Sequence, residues 1–279
     1  MNEIAAPPIA AATKALALFL LGGGVFTALA LIPGQSCNPG RPWWRARGLA
    51  TDIAYMAMTP LIGPVLRAVS LFGIAALLLS FFSVEQLYDH LQNGRGPLTA
   101  LPFPWRFAVF FALLDLLLYL THRLFHTRLL WPFHAVHHSA MDVDWTTGYR
   151  MHPVNLLLGV YLSIAVLIFL GAPPLALAIF APIDAAWSFF VHSNLNWTLG
   201  PLRFIVTTPA FHRWHHTAPD RGGETNFAAF FPVWDILFGT FRMPAGERPS
   251  DYGVVEPGFP QGFLAQLVHP FRAARRKRG

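Results

Sequence analysis

The chain has 279 residues, of which 54% are hydrophobic and 12% charged, with a mean hydropathy of +0.44. Soluble domains carry about 25% charged residues, so this composition excludes an ordinary soluble enzyme and describes an integral membrane protein. The single Cys37 excludes an internal disulfide framework and a cysteine-held iron–sulfur cluster, and the net charge of +6 sits on arginines that flank apolar runs, which suits anionic lipid rather than nucleic acid.

In chain order, the apolar run 15–33 predicts a retained helix; Lys14 is a thin positive region for a secretion signal and no small-residue cleavage site follows. RPWWRAR at 41–47 combines Trp and Arg as at a membrane interface. Residues 49–65, interrupted by Pro60 and Pro64, read as a re-entrant or surface piece, and 66–84 as a span. The stretch 85–104, with NGRGP and LPFP, reads as a loop. A further span, 105–121, runs straight into HRLFH. Residues 154–170 and 174–191, joined by GAPP, predict a helical hairpin, and the chain closes on the basic sequence RAARRKRG.

The expected fold is therefore all-α, an integral membrane helical bundle of about four to five spans under a cap that carries the histidines. Three regions follow: a transmembrane region 1–104, a catalytic domain 105–243 and a basic tail 244–279. The hairpin returns to the side it left, so the histidine motifs share one side with Arg41, Arg45, Arg47, Arg123, Arg128, Arg150 and Arg213. The positive-inside rule makes that side, and the C-terminus, cytoplasmic.

Ten of twelve histidines lie between His122 and His216. Eight form three boxes: HRLFH (His122, His126), HAVHH (His134, His137, His138) and HRWHH (His212, His215, His216). Positions three and four apart share a helix face, so each box can aim its nitrogens at one point. Neutral imidazole is the commonest metal ligand, and eight exceed what one tetrahedral ion needs, so the boxes point to two metals. His192, just past the hairpin, is an extra ligand candidate. His152 stands between ligand, substrate-site and structural roles, while His90 and His269 read as surface residues. Asp115, Tyr119, His122 and His126 form one helical stripe, which aims Asp115 at the far nitrogen of a ligand histidine; a structural bond between helices is the alternative. Trp187, Phe189 and Phe190 read as packing residues, with lining of a lipid access path as the alternative.

DLLLYLTHRLFH, HAVHHSA, HSN, HRWHH and NFAAFFPVWDILFGTF, in this order over about residues 105–243, resemble the fatty acid hydroxylase / sterol desaturase superfamily of membrane di-iron enzymes. The closing segment, with Asn226, Trp234, Asp235 and Phe238-Gly239-Thr240, strengthens the match independently of ligand spacing. The resemblance implies two iron ions, replaceable by zinc in recombinant protein, and O2-dependent attack on a C–H bond of a membrane lipid or sterol-like substrate to give an alcohol or an alkene. Some relatives carry a further histidine where this chain has Asn196. No CxxCH, GxGxxG or ferredoxin cysteine motif is present, so electrons come from a separate ferredoxin- or cytochrome-type donor. The competing readings are desaturation, carotenoid or ether-lipid hydroxylation, and a non-catalytic membrane metal-binding protein. Zinc hydrolysis lacks an HExxH motif.

Overall fold

The computed structural model describes residues 8–276. The described residues form helices and loops with no β-strand beyond two isolated bridges. In chain order the main helices are α1 (Pro8–Leu31), α2 (Leu49–Leu78), α3 (Val84–Asn93), α4 (Phe103–Phe125), α5 (Trp131–His138), α6 (Pro153–Phe169), α7 (Pro174–His192), α8 (Pro209–His215), α9 (Val233–Leu237) and α10 (Phe263–Arg276). Among the described residues three are long and apolar enough to cross a membrane: α2, α4 and Leu175–His192 of α7. Among the described residues, α6 and Leu20–Leu31 of α1 are shorter apolar helices. Large side chains such as Leu61 and Phe72 point outward from α2, as lipid-facing residues do.

The sequence is corrected at α2. Residues 49–65 and 66–78 are one helix, and the chain passes through Pro60 and Pro64 without a break. Proline ends helices in water, where the freed carbonyls are cheaply hydrated; in an apolar setting the helix persists and neighbours compensate. Thr59 Oγ1 donates to the Tyr55 carbonyl one turn before Pro60 (2.9 Å). The stretch 85–104 is also more than a loop. It holds α3, whose N-terminus is closed by a capping box between Ser83 and Gln86. His90, read as a surface residue, is buried there and donates from Nε2 to the Ile168 carbonyl (2.6 Å).

Phe110 and Leu114 of α4 pack with Leu167 of α6 and with Ala176 and Phe180 of α7, forming the core inside the bundle. The GAPP turn between α6 and α7 closes it. Gly171 has φ +92, its carbonyl accepts from Arg95 N (3.2 Å), and a Cβ would run into the Arg95 carbonyl oxygen. Gly171→Ala is therefore expected to destabilise the protein by about 1–3 kcal/mol, seen as a lower thermal unfolding midpoint in detergent.

The C-terminal helix α10 packs on α5 and α2. Its Phe263 and Leu267 lie against Tyr55, Ala135 and Val136. The basic end of the chain thus continues from a helix that braces the second histidine box.

Candidate metal centre

Each box is held by local chemistry. Thr208 caps α8, its hydroxyl accepting from Phe211 N (3.1 Å), and Pro209 follows at the first turn. His212 and His215 lie on this helix and His216 is its C-cap. His122 lies in the last turn of α4 and His126 is its C-cap. His134, His137 and His138 lie on α5, and His192 ends α7.

These nine residues, all the sequence-proposed ligands, come together in two adjoining groups. His122, His126, His134, His138 and His215 form one; His137, His192, His212 and His216 form the other, with the offered nitrogens of each group within 4.8 Å of one another. Chain neighbours separate: His137 and His138 join different groups, as do His215 and His216. Adjacent helical residues point about 100° apart, so one short helix serves both groups.

Backbone carbonyls fix several rings. His122, His137, His192 and His215 donate from Nδ1 to the carbonyls of Phe227 (2.8 Å), Arg150 (3.2 Å), Ser188 (2.6 Å) and Thr225 (2.8 Å). That leaves each Nε2 as a bare lone pair. The Asn155 amide lies 2.9 Å from His134 Nδ1, and its Oδ1 is otherwise a buried orphan. Turned so that Oδ1 accepts from Nδ1–H, it frees His134 Nε2 in the same way. Nε2 atoms of His126, His138 and His215 are buried with no protein partner. Burial first, then repulsion from neighbouring imidazoles, holds His126, His134, His137, His138, His212, His215 and His216 well below the usual histidine range. Uncharged, converging and short of donors, this set fits cations that prefer imidazole, such as iron, zinc or copper.

An apolar cavity opens onto the groups. His122, His134, His137, His192 and His212 form its floor, and Leu118, Phe125, Leu156, Val160 and Val191 contribute to its walls.

Residues 107–240 match the model of the fatty acid hydroxylase family. Over that segment, just under half of the chain, the protein is similar to the family. It is 39% identical over 164 residues to the ornithine lipid hydroxylase OlsE of Rhizobium tropici, covering 57% of this chain and 48% of that protein. It is 29% identical to the human alkylglycerol monooxygenase over 77% of this chain and 46% of that protein. It is 28% identical to the Delta(7)-sterol 5(6)-desaturase ERG3A of Gibberella zeae over 61% and 48%. The chain thus spans less than half the length of these relatives. No solved structure matches it.

The closing segment of the matched region has a physical role. Asp235 accepts from Phe227 N (2.8 Å), Ala228 N (2.9 Å) and Thr240 Oγ1 (2.6 Å). Asn226, at φ 59, donates from Nδ2 to the Phe211 (2.9 Å) and Arg242 (2.7 Å) carbonyls. Together they pin the loop whose carbonyls, Thr225 O and Phe227 O, orient His215 and His122.

Asp115 belongs to this arrangement, and its expected contact with a ligand histidine is corrected. Its oxygens accept from Phe230 N (2.8 Å), Phe231 N (2.9 Å) and Trp234 Nε1 (2.9 Å). The α4 stripe is real, but it faces the closing segment: Tyr119 OH meets Thr240 Oγ1 (3.1 Å) and His122 meets Phe227. Asp115 thus acts on His122 through the loop.

His152 lies outside both groups. Its Nδ1 accepts from Val154 N (3.2 Å), capping α6, and its Nε2 donates to Leu267 O of α10 (3.1 Å), a structural role. Asn196 is also outside; its backbone N–H bonds to Gln35 O (2.7 Å). Trp187 lines the cavity while donating to Thr207 Oγ1 (2.7 Å). Phe189 packs on Tyr149 and Trp145, and Phe190 on Trp187 and Trp197.

Sequence reading missed one support. Arg150 and Asp52 form a buried ion pair (2.5 Å), and Arg150 also donates to Ser139 Oγ (3.3 Å) and Gly48 O (3.0 Å). Its own carbonyl is the acceptor for His137. Asp52, a carboxylate at the start of an apolar helix, was the available signal.

Proposed function

We propose that this protein is a multi-pass membrane oxygenase that uses O2 and two irons to hydroxylate a C–H bond of a lipid or sterol-like substrate. The observation that carries this reading is the division of nine histidines, seven of them buried, into adjoining groups of five and four, with five of the nine lining the floor of an apolar cavity. Iron held there supplies O2-dependent oxidation of an unactivated C–H bond. The chain's own residues do the rest. The carbonyls of Phe227, Thr225, Arg150 and Ser188 hold the imidazoles in the ligating orientation, and the apolar walls exclude water and admit an alkyl chain. One oxygen atom enters the C–H bond and the other leaves as water, so each turnover consumes a pair of electrons and a pair of protons.

The electrons come from a separate carrier of ferredoxin or cytochrome type. Arg41, Arg47 and Arg213 line a polar cleft next to the histidine boxes together with Asp142, which pairs with Arg41 and Arg47, and Asp251, so the cleft keeps a small excess of positive charge suited to an acidic carrier. The positive-inside bias places that face and the C-terminus in the cytoplasm. The names of the relatives support a lipid substrate, and the relative named as a sterol desaturase makes desaturation the second reading.

The test is lipid mass spectrometry of membranes from cells with and without the chain, grown under 18O2. A lipid that gains one labelled oxygen is the expected result. Loss of a hydrogen pair without label selects the desaturase. An unchanged lipid profile with iron bound and reductant supplied refutes both.

A further inference from the structure

One carboxylate lines the substrate cavity. Asp184 lies near the middle of α7, within a stretch apolar and long enough to cross a membrane, eight residues before His192. At 1.5 Å per residue the two are about 12 Å apart along the helix axis. Ionisable residues at such depth are costly and are normally paired or functional. Asp184 has no hydrogen-bond or ion-pair partner among the described residues.

Most of its polar neighbours on the wall are otherwise engaged. Thr121 Oγ1 donates to the Leu117 and Leu118 carbonyls (2.8 and 3.1 Å), Trp187 donates to Thr207, and the Asn155 amide is set against His134. Ser188, one turn beyond Asp184, gives its carbonyl to His192. The cavity therefore presents a strong acceptor that makes no hydrogen bond to the protein among the described residues, with the Ser188 hydroxyl as the one nearby donor not engaged elsewhere, among walls that are otherwise mainly apolar.

We propose that Asp184 binds an N–H or O–H donor of the substrate, so that the lipid accepted carries a hydroxyl or an amine about two helical turns from the carbon that reacts. This rests on reading the cavity as the substrate site of an oxygenase. A plain hydrocarbon leaves the carboxylate bare, and a lipid with a donor satisfies it. Hydrogen bonds to charged groups discriminate by about 10–100-fold, and a site built for a polar group rejects analogues that lack it. Asp184 is then a determinant of specificity, and the two donor chemistries are separable.

The experiment is equilibrium binding of three radiolabelled probes, dodecylamine, 1-dodecanol and dodecyl methyl ether, to the full chain in nanodiscs without O2 or reductant. The wild type is expected to bind the amine, the alcohol or both about 10–100-fold more tightly than the ether; equal binding of all three overturns the proposal, and this comparison needs no variant. Asp184→Leu, which matches the carboxylate in shape and suits an apolar span, is expected to lose the preference while ether binding, the check on its fold, is unchanged. A preference that survives in Asp184→Leu also overturns the proposal. Asp184→Asn keeps an oxygen acceptor without the charge, so loss of amine preference alone identifies an ammonium, and a retained alcohol preference identifies a hydroxyl. Because binding is read without turnover, a failure of the oxygenase reading appears in the 18O2 assay and leaves this result standing.

Discussion

Replacing His137 with alanine is expected to remove one metal ion, whereas replacing His138, its neighbour in the chain, is expected to weaken binding without removing one. The two imidazoles start from the same turn of α5 and enter different groups. His137 is one of four, and its loss leaves His192, His212 and His216; His138 is one of five, and its loss leaves the number that a tetrahedral ion uses. Changes to groups that merely orient a ligand typically cost 10–100-fold in affinity or activity, so loss of a ligand from the smaller group is expected to lower turnover at least about 100-fold. Elemental analysis of purified protein should show iron falling from about two to about one per chain in His137→Ala, and staying near two in His138→Ala. His215 and His216 supply an independent repeat of the same contrast on α8. Equal iron in His137→Ala and His138→Ala would show that the groups do not bind as separate sites. Full activity in His137→Ala would remove it from the centre altogether.

The boxes were legible because helical spacing and ligand chemistry are both local. HAVHH and HRWHH state their geometry within five residues, and His192 follows from its place at the end of a predicted helix. The division into five and four was not legible, because it depends on how four helix ends meet. Asp115 shows the same limit more sharply. Its stripe with Tyr119 and His122 follows from periodicity, but its partners are two backbone N–H groups and an indole more than a hundred residues away. A backbone donor leaves no mark in a sequence, so the histidines nearby looked like the obvious partners. Pro60 and Pro64 misled for another reason: the helix-breaking rule comes from aqueous helices, and α2 is set in apolar surroundings. In the tail, the basic residues at the end drew attention from Phe263, Leu267 and Pro270, whose spacing already described a packed helix face.

Asp115→Asn is expected to lower stability while leaving most of the metal in place. The carboxylate satisfies three buried donors, Phe230 N, Phe231 N and Trp234 Nε1. An asparagine offers one oxygen and turns an NH2 toward a donor, so at least one N–H is left buried and unsatisfied. Each such loss costs about 1–3 kcal/mol, for a total of about 2–5 kcal/mol and a fall of about 5–15 °C in the unfolding midpoint. Tyr119→Phe, which removes the hydrogen bond to Thr240 and a longer one from Arg123 (3.4 Å), calibrates the scale at about 1–2 kcal/mol. The metal centre feels Asp115 only through the loop, by way of Phe227 O and His122, and the five-histidine group keeps four other members. Folded Asp115→Asn protein should therefore keep its iron and lose activity modestly, by about 10-fold, as the cavity wall at Phe230 shifts. Direct orientation of a ligand by Asp115 predicts the reverse pattern, with an unchanged unfolding midpoint and depleted iron. Measuring both quantities on one preparation separates the two, because the loop carries stability to the segment and position to the histidine through different bonds.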